Sequence, residues 1–317
     1  MKSLNLKMSD SNSKLTPEKL KFHHRLEFIL FNSLKRWGKG ASKKTRRRGT
    51  ILLDNLLYHG LRICRSIVAI NLELAFPKSS TVERKQIARA NYRWFARFCM
   101  DVLHMDAWKG RTSEIAKCHN LEILDQALSE KKGVLLISGH FGNWEMIPPA
   151  LAELGYPVTM YVGRQTNPLT NKLQNTARAN FGVETIDKGK RATLQMGRAL
   201  AANKIIAMLI DQNDNKSDLF VNFFEKLASS SKGTAAFHLL RKSPVVLVTC
   251  PYVGDYLEIS FQRINFDLSG EQEKDTLAIT QKITSALENV IRKYPEQYFW
   301  MHRRWRARPQ EDLEDIY

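Results

Sequence analysis

The sequence predicts an α/β fold: a mixed, mostly parallel sheet flanked by helices, with a helical extension at the N-terminus. Three observations predict it. Val134-Leu135-Leu136-Ile137 is an unbroken apolar run, as expected of a central strand buried on both faces. Beyond it, short apolar runs alternate with helical periodicity in the α/β manner. Finally, Tyr256 to Ile264 alternates apolar and polar residues, which suits an antiparallel edge or hairpin strand.

The 317 residues suffice for one large domain with an extension, and a hydrophobic share of 43% can bury its core. Residues 1–18 are polar and read as disordered. An amphipathic helix is expected from Lys19 to Trp37, with Phe22, Leu26, Ile29, Leu30 and Trp37 on one side. Residues 1–50 hold 14 Lys and Arg against 3 Asp and Glu, so they carry +11 of the chain's net +17. A basic arm over 1–48 is therefore read as a membrane-proximal segment for an anionic membrane surface. Nucleic acid is set aside as a partner because few aromatics interleave the basic run. Residues 49–309 form the main domain, and 310–317 an acidic tail.

Helical regions are expected over Thr50 to Phe76, Val82 to Trp108 and Leu121 to Lys132. The strands that follow are Val158 to Val162, Val183 to Ile186, Ile205 to Ile210 and Val245 to Cys250. Helices at Pro168 to Phe181, Ala192 to Asn203, from near Lys232, and Asp275 to Lys293 intervene or follow. The four cysteines stand far apart with no C-x-x-C, which argues against a disulfide framework or a zinc site. No signal peptide opens the chain, and no window of ~18 uncharged apolar residues predicts a membrane span.

The stretch GVLLISGHFGNWE, Gly133 to Glu145, carries the chemistry. His140 falls where a strand's carboxyl end feeds a helix, with Asn143 placed to cap a helix starting at Trp144. Five positions on, Glu145 can reach His140 only if the glycines fold the loop back. A carboxylate on one imidazole nitrogen would leave the other free to act as a base for an alcohol. The residues leave a second reading open, a packed loop histidine with Glu145 favouring a helix start. Other strand ends carry Arg164 and the run Asp211-Gln212-Asn213, on the rim where ligands bind in such sheets. Backbone N–H groups at Gly142 and Asn143 are expected to serve an oxyanion.

The motifs SGHFGNWE, VGRQTNP, IDQN, NFFE, SKGTA and YFWMHRRWRARP, with NLELAFP upstream, resemble the late acyltransferases of lipid A biosynthesis. The resemblance runs from about Asn71 to Pro309. It implies a glycerolipid-acyltransferase-like fold and transfer of a fatty acyl chain from acyl carrier protein or acyl-coenzyme A to a lipid hydroxyl. The acceptor would be a lipid A precursor at the cytoplasmic face of the inner membrane, or another phospholipid, glycolipid or amino lipid. It implies His140 as general base, Glu145 as its orienting acid, and no cofactor or metal. Arg164 and Asp211 would position substrate or contact phosphate, and Gln212, Arg303 and Arg304 would join them at the substrate, with His302 in the same C-terminal block; Gly142 and Asn143, read from the loop itself, complete the substrate contacts as oxyanion donors. A non-catalytic membrane- or nucleic-acid-binding protein is the competing reading. The family's glycine after the Phe pair is Glu225 here.

Overall fold

The computed structural model describes residues 21–309 and 316–317. The expected disordered stretch 1–18, the start of the first helix at Lys19 and most of the acidic tail lie outside them. Helices open the chain: α1 (Phe22–Gly40), α2 (Lys43–Asn55), α3 (Arg65–Ala75) and α4 (Thr81–His104). Because α2 is continuous, the expected boundary at residue 48 falls inside a helix. The expected single helix over Thr50 to Phe76 is interrupted. A π-helical turn at Leu56–Gly60 is followed by left-handed backbone at Arg62 and Cys64. The Tyr92 hydroxyl donates to the Ile63 carbonyl there, so a tertiary contact fixes the break. A capping box starts α4, Ser80 and Glu83 each satisfying the other's backbone N–H, worth about 1 kcal/mol.

The sheet comprises β1 (Ala116–His119), β2 (Val134–Ser138), β3 (Val158–Val162), β4 (Glu184–Asp187) and β5 (Ile205–Leu209). It continues, after the separate hairpin β6 (Phe220–Phe223) and β7 (Lys226–Ser229), with β8 (Val245–Thr249), β9 (Tyr252–Val253) and β10 (Tyr256–Ile264). Strand order is β1-β10-β8-β2-β5-β3-β4, with β9 beside β10. Pairings are parallel except β10 with β8 and with β9, so the expected antiparallel strand is β10.

β2 is buried throughout and divides two cores. Leu135 and Ile137 join the core under α8 (Ala192–Ala201), α9 (Gly233–Arg241) and α10 (Gln272–Lys293), through Met196, Phe237 and Leu287. Val134 and Leu136 join the core under α4, α5 (Leu121–Ser129) and α6 (Ile147–Glu153), through Phe98, Leu124 and Leu151. Among the described residues, the remaining α-helix is α7 (Pro168–Asn180).

The β6–β7 hairpin has no sequence signal of the usual kind. Its two central residues, Phe224 and Glu225, have φ of 52° and 61°, where Asn-Gly is the common choice. Each non-glycine residue there costs about 1–2 kcal/mol. Burial of Phe224 against Phe223 and Trp300 offsets it, as does its N–H bond to Glu288 at 2.6 Å.

The apolar stripe of α1 faces solvent. Phe22, Leu26, Ile29, Leu30, Leu34 and Trp37 are exposed, while Lys35 turns inward to Asp106 at 3.1 Å. Among the described residues, no helix is long and apolar enough to cross a membrane.

Candidate active site

Parallel register builds the centre. Ser138, the last residue of β2, pairs with Leu209 of β5, and the Ile210 N–H donates to Ser138 O at 3.0 Å. Two residues further along each chain, His140 therefore lies opposite Asp211. One Asp211 oxygen accepts the His140 backbone N–H and the other meets Nδ1, both at 2.8 Å. Gly139 makes room: a Cβ there would lie 3.2 Å from the Asp211 carboxylate and 2.7 Å from Leu287.

The partner of His140 Nδ1 is thus Asp211, which corrects the expected pairing with Glu145. The helix after the loop explains this. It begins at Ile147 instead of Trp144, with Pro148 and Pro149 in its first turn, so Glu145 lies in a turn ahead of it. There its two carboxylate oxygens accept from Arg178 of α7 at 3.0 and 3.2 Å. Arg178 escaped the sequence reading because it sits at the end of a helix, away from every strand-end motif. Asp211, expected at the substrate, is instead buried beneath the imidazole.

The electrostatics follow from this pairing. Burial alone would lower the His140 pKa, but Asp211's charge and hydrogen bond, aided by Glu145, outweigh it and raise the pKa above the ordinary value. Burial would likewise raise Asp211, yet His140 and the Arg304 guanidinium hold it below the usual carboxylate range. Burial first, and then the Asp211 charge, hold the nearby Tyr298 hydroxyl well above the usual phenol range. His140 Nε2 faces the rim, 3.3 Å from the side-chain amide nitrogen of exposed Gln212. Trp144 packs edge-on to the imidazole at 5.1 Å between ring centres and stacks on Phe98 at 4.1 Å.

The loop's own N–H groups are committed. Gly142 N–H donates to Gln297 O at 2.9 Å and Asn143 N–H to Cys250 O at 2.7 Å, so neither can serve an oxyanion as expected. The Asn143 side chain bonds Tyr252 instead of capping a helix. Of the residues foreseen, Gln212 is the one whose side-chain amide meets the outward imidazole nitrogen.

The C-terminal block is a strap over this loop. Phe299 N–H donates to His140 O at 3.0 Å, and Phe141 forms a bridge with Tyr298. Asn91 and Asn71 hold the strap's carbonyls through their side-chain amides at 2.6–2.8 Å. Arg304, expected to touch substrate, is 2% exposed and donates to Ser229 O and Ser230 Oγ at 2.5 and 2.9 Å. His302 accepts from Asn213 N–H, and burial pushes its pKa down to about 4, leaving it neutral. Arg303 stays exposed, 5.8 Å over the Tyr317 ring. Arg164 is exposed at the end of β3, two strand spacings from β2, about 10 Å.

A cavity of about 950 Å³ lies between α2, α4 and the β9–β10 hairpin. It is lined by Arg46, Arg93, Trp94 and Tyr252, and by neither His140 nor Asp211. Trp94 and Tyr252 back the His140 loop through Trp144 and Asn143, so the cavity lies behind the loop. The second imidazole nitrogen of His140 meets Gln212 instead of this cavity.

The chain as a whole is similar to known acyltransferases. The chain is 27% identical over 252 residues to the lipid A biosynthesis palmitoleoyltransferase of Escherichia coli strain K12, covering 77% of this chain and 79% of that protein. It is 25% identical over 252 residues to the lipid A biosynthesis lauroyltransferase of the same strain, covering 77% and 79%. To the phosphatidylinositol mannoside acyltransferase of Mycolicibacterium smegmatis it is 24% identical over 233 residues, covering 72% and 74%. Residues 43–307, from α2 through the strap, match the family model of the bacterial lipid A biosynthesis acyltransferases, and the chain is an acyltransferase belonging to that family.

Proposed function

We propose that the protein transfers a fatty acyl chain from an acyl thioester to a hydroxyl of a lipid A precursor, with His140 as general base. The observation that carries this is the 2.8 Å contact between His140 Nδ1 and Asp211, which turns Nε2 toward the open rim of the sheet. Nε2 takes the acceptor's proton as its oxygen attacks the thioester carbon. Such assistance is worth roughly 10²–10⁴-fold. The Gln212 amide donates to the oxyanion, and collapse expels the thiolate, which recovers the proton from the imidazolium. Asp211 stabilises that imidazolium. The donor is acyl carrier protein or acyl-coenzyme A. The phosphatidylinositol mannoside relative supports a second reading, the same chemistry on another glycolipid.

The test is incubation of the purified full chain with an acyl thioester and a lipid A precursor, read by mass spectrometry. A product heavier by one acyl group is expected, at a rate that climbs with pH as His140 becomes neutral. Hydrolysis of the thioester with the acceptor unchanged would contradict the reading.

The same proposal places the enzyme on an anionic membrane surface, with the outward apolar stripe of α1 in the interface. Half-burying three such side chains contributes about 1 kcal/mol each. Leu26→Ser, Ile29→Ser and Leu30→Ser together should therefore weaken vesicle binding about tenfold or more, measured by flotation. Unchanged flotation would remove α1 from the interface.

A further inference from the structure

The cavity behind the His140 loop takes no part in the acid–base chemistry, yet it has the makings of a binding site. Its volume of about 950 Å³ falls in the range of small-molecule pockets. Trp94, Trp108 and Tyr252 give it aromatic walls, with Arg46 over Trp108 at 4.9 Å and Arg97 over Tyr252 at 4.0 Å. Five cations line it, Lys43, Arg46, Arg47, Arg93 and Arg97, against four carboxylates, Asp101, Glu114, Asp255 and Glu296. Two of those carboxylates are shared. Asp255 serves Lys43 and Arg47 at 2.9 and 3.2 Å, and Asp101 serves Arg46 and Arg97 at 3.1 and 4.0 Å. Arg93 meets Asp54 at 3.9 Å, a carboxylate that Arg89 already holds. Two lining side chains also keep a buried donor, Trp94 Nε1 and Arg46 Nε, with no acceptor among the described residues.

The charge narrows the ligand. An excess of one cation suits a singly charged anion with several acceptor oxygens. A phosphodiester is such a group, whereas a phosphate monoester carries a charge of about −1.5 to −2. The surroundings supply an apolar part. Ile51 lines the cavity and is exposed, as is Leu52 beside it on α2. α2 follows α1 after two residues, and α1 carries the outward apolar stripe. A headgroup in the cavity thus has apolar helix surface beside it for acyl chains, which a soluble phosphodiester would leave uncovered. The site also backs the His140 loop. Tyr252 Oη accepts from the Asn143 amide at 3.0 Å, and Gln297 O accepts the Gly142 N–H at 2.9 Å.

We propose that this cavity binds the headgroup phosphodiester of one anionic membrane phospholipid, a ligand separate from the acyl donor and the acceptor. The proposal rests on the cavity and stands whether or not the chain transfers an acyl group.

The test titrates the full chain, isotope-labelled at its tryptophan indoles, with dihexanoyl phosphatidylglycerol below its critical micelle concentration, so that no membrane surface is present. The Trp94 indole N–H resonance, assigned by its loss in Trp94→Phe, is expected to shift and to saturate. Lys43→Gln/Arg47→Gln/Arg93→Gln changes mostly exposed side chains and should raise Kd about tenfold or more, as charged hydrogen bonds are lost. Asp255→Asn works in the opposite direction. It frees Lys43 and Arg47 for the phosphate and should lower Kd about threefold, a gain that misfolding cannot mimic. An unmoved Trp94 resonance, or an unchanged Kd in either variant, would overturn the proposal. An equal shift with dihexanoyl phosphatidylcholine, whose headgroup has no net charge, would do the same. So would equal or tighter binding of three other probes. Glycerol phosphate would assign the cavity to a free phosphate, coenzyme A to the donor, and a phosphorylated glucosamine lipid to the acceptor.

Discussion

His140→Asn is expected to lower kcat by about 10²–10⁴-fold while the protein stays folded, because a base is lost but a donor to Asp211 is kept. Asp211→Asn should lower kcat strongly as well, since an amide no longer dictates the Nδ1–H tautomer or stabilises the imidazolium. The two variants are separated by pH. With Asp211 present, the raised pKa delays loss of the imidazolium proton, so the neutral base forms only above the ordinary imidazole range. Without that carboxylate the acid limb of the rate profile should move to lower pH. Stability runs the other way. A raised histidine pKa contributes stability in full below the unfolded value and loses it as pH rises through the folded one. For Asp211, held low, the contribution is present above the unfolded carboxylate value and is lost as pH falls through the folded one.

Glu145→Gln should cost much less, about tenfold, because its carboxylate is engaged by Arg178 and reaches His140 only through its field. A Glu145→Gln loss equal to that of Asp211→Asn, with no shift in the Asp211→Asn profile, would restore Glu145 as the orienting acid. Steady-state kinetics of the three purified variants from pH 5 to 9 decides between them.

The sheet was legible wherever apolar runs stood between turn residues, as with β3 and β10, whose ends match the expected ones. What escaped was fixed by contacts distant in sequence. β1 is a four-residue edge strand whose pattern is too short to read, and it exists through pairing with β10. The β6–β7 turn hides behind Phe224 and Glu225, whose backbone is held by Glu288 and Trp300. In the site, His140 and Gln212 were read as placed. The Asp211 role was recoverable in principle: β2 and β5 are parallel neighbours ending in register, which sets His140 opposite Asp211. Strand order is not written in either strand, however, and proximity in sequence favoured Glu145. The arginines of the C-terminal block looked alike by composition, and only packing separates buried Arg304 from exposed Arg303.

Gly142→Ala is expected to destabilise the protein by several kcal/mol and to lower activity in the fraction that folds. Gly142 has φ of +60°, and an added Cβ would lie 2.1 Å from the Cys250 carbonyl oxygen and 2.5 Å from its carbon. Backbone cannot step aside as a flexible side chain does. The left-handed conformation costs about 1–2 kcal/mol and the overpacking about 1–3 more. Relief would require pulling the loop from Cys250 at the end of β8, which breaks Asn143 N–H to Cys250 O and disturbs the adjoining Gly142 N–H to Gln297 O. Those two bonds anchor the loop just beyond His140, whose own bonds run to Asp211 and Phe299, so relaxation there pulls on the imidazole, and a shift of ~1 Å in a reacting group can cost 10²-fold. Gly155→Ala is the control: φ is +89°, but nothing lies within 4 Å of its added Cβ, so only the backbone cost of about 1–2 kcal/mol applies. Thermal unfolding of both variants should show Gly142→Ala several degrees below Gly155→Ala. Equal midpoints would mean that the Cys250 carbonyl does not press on the loop, and that something other than this contact positions the histidine.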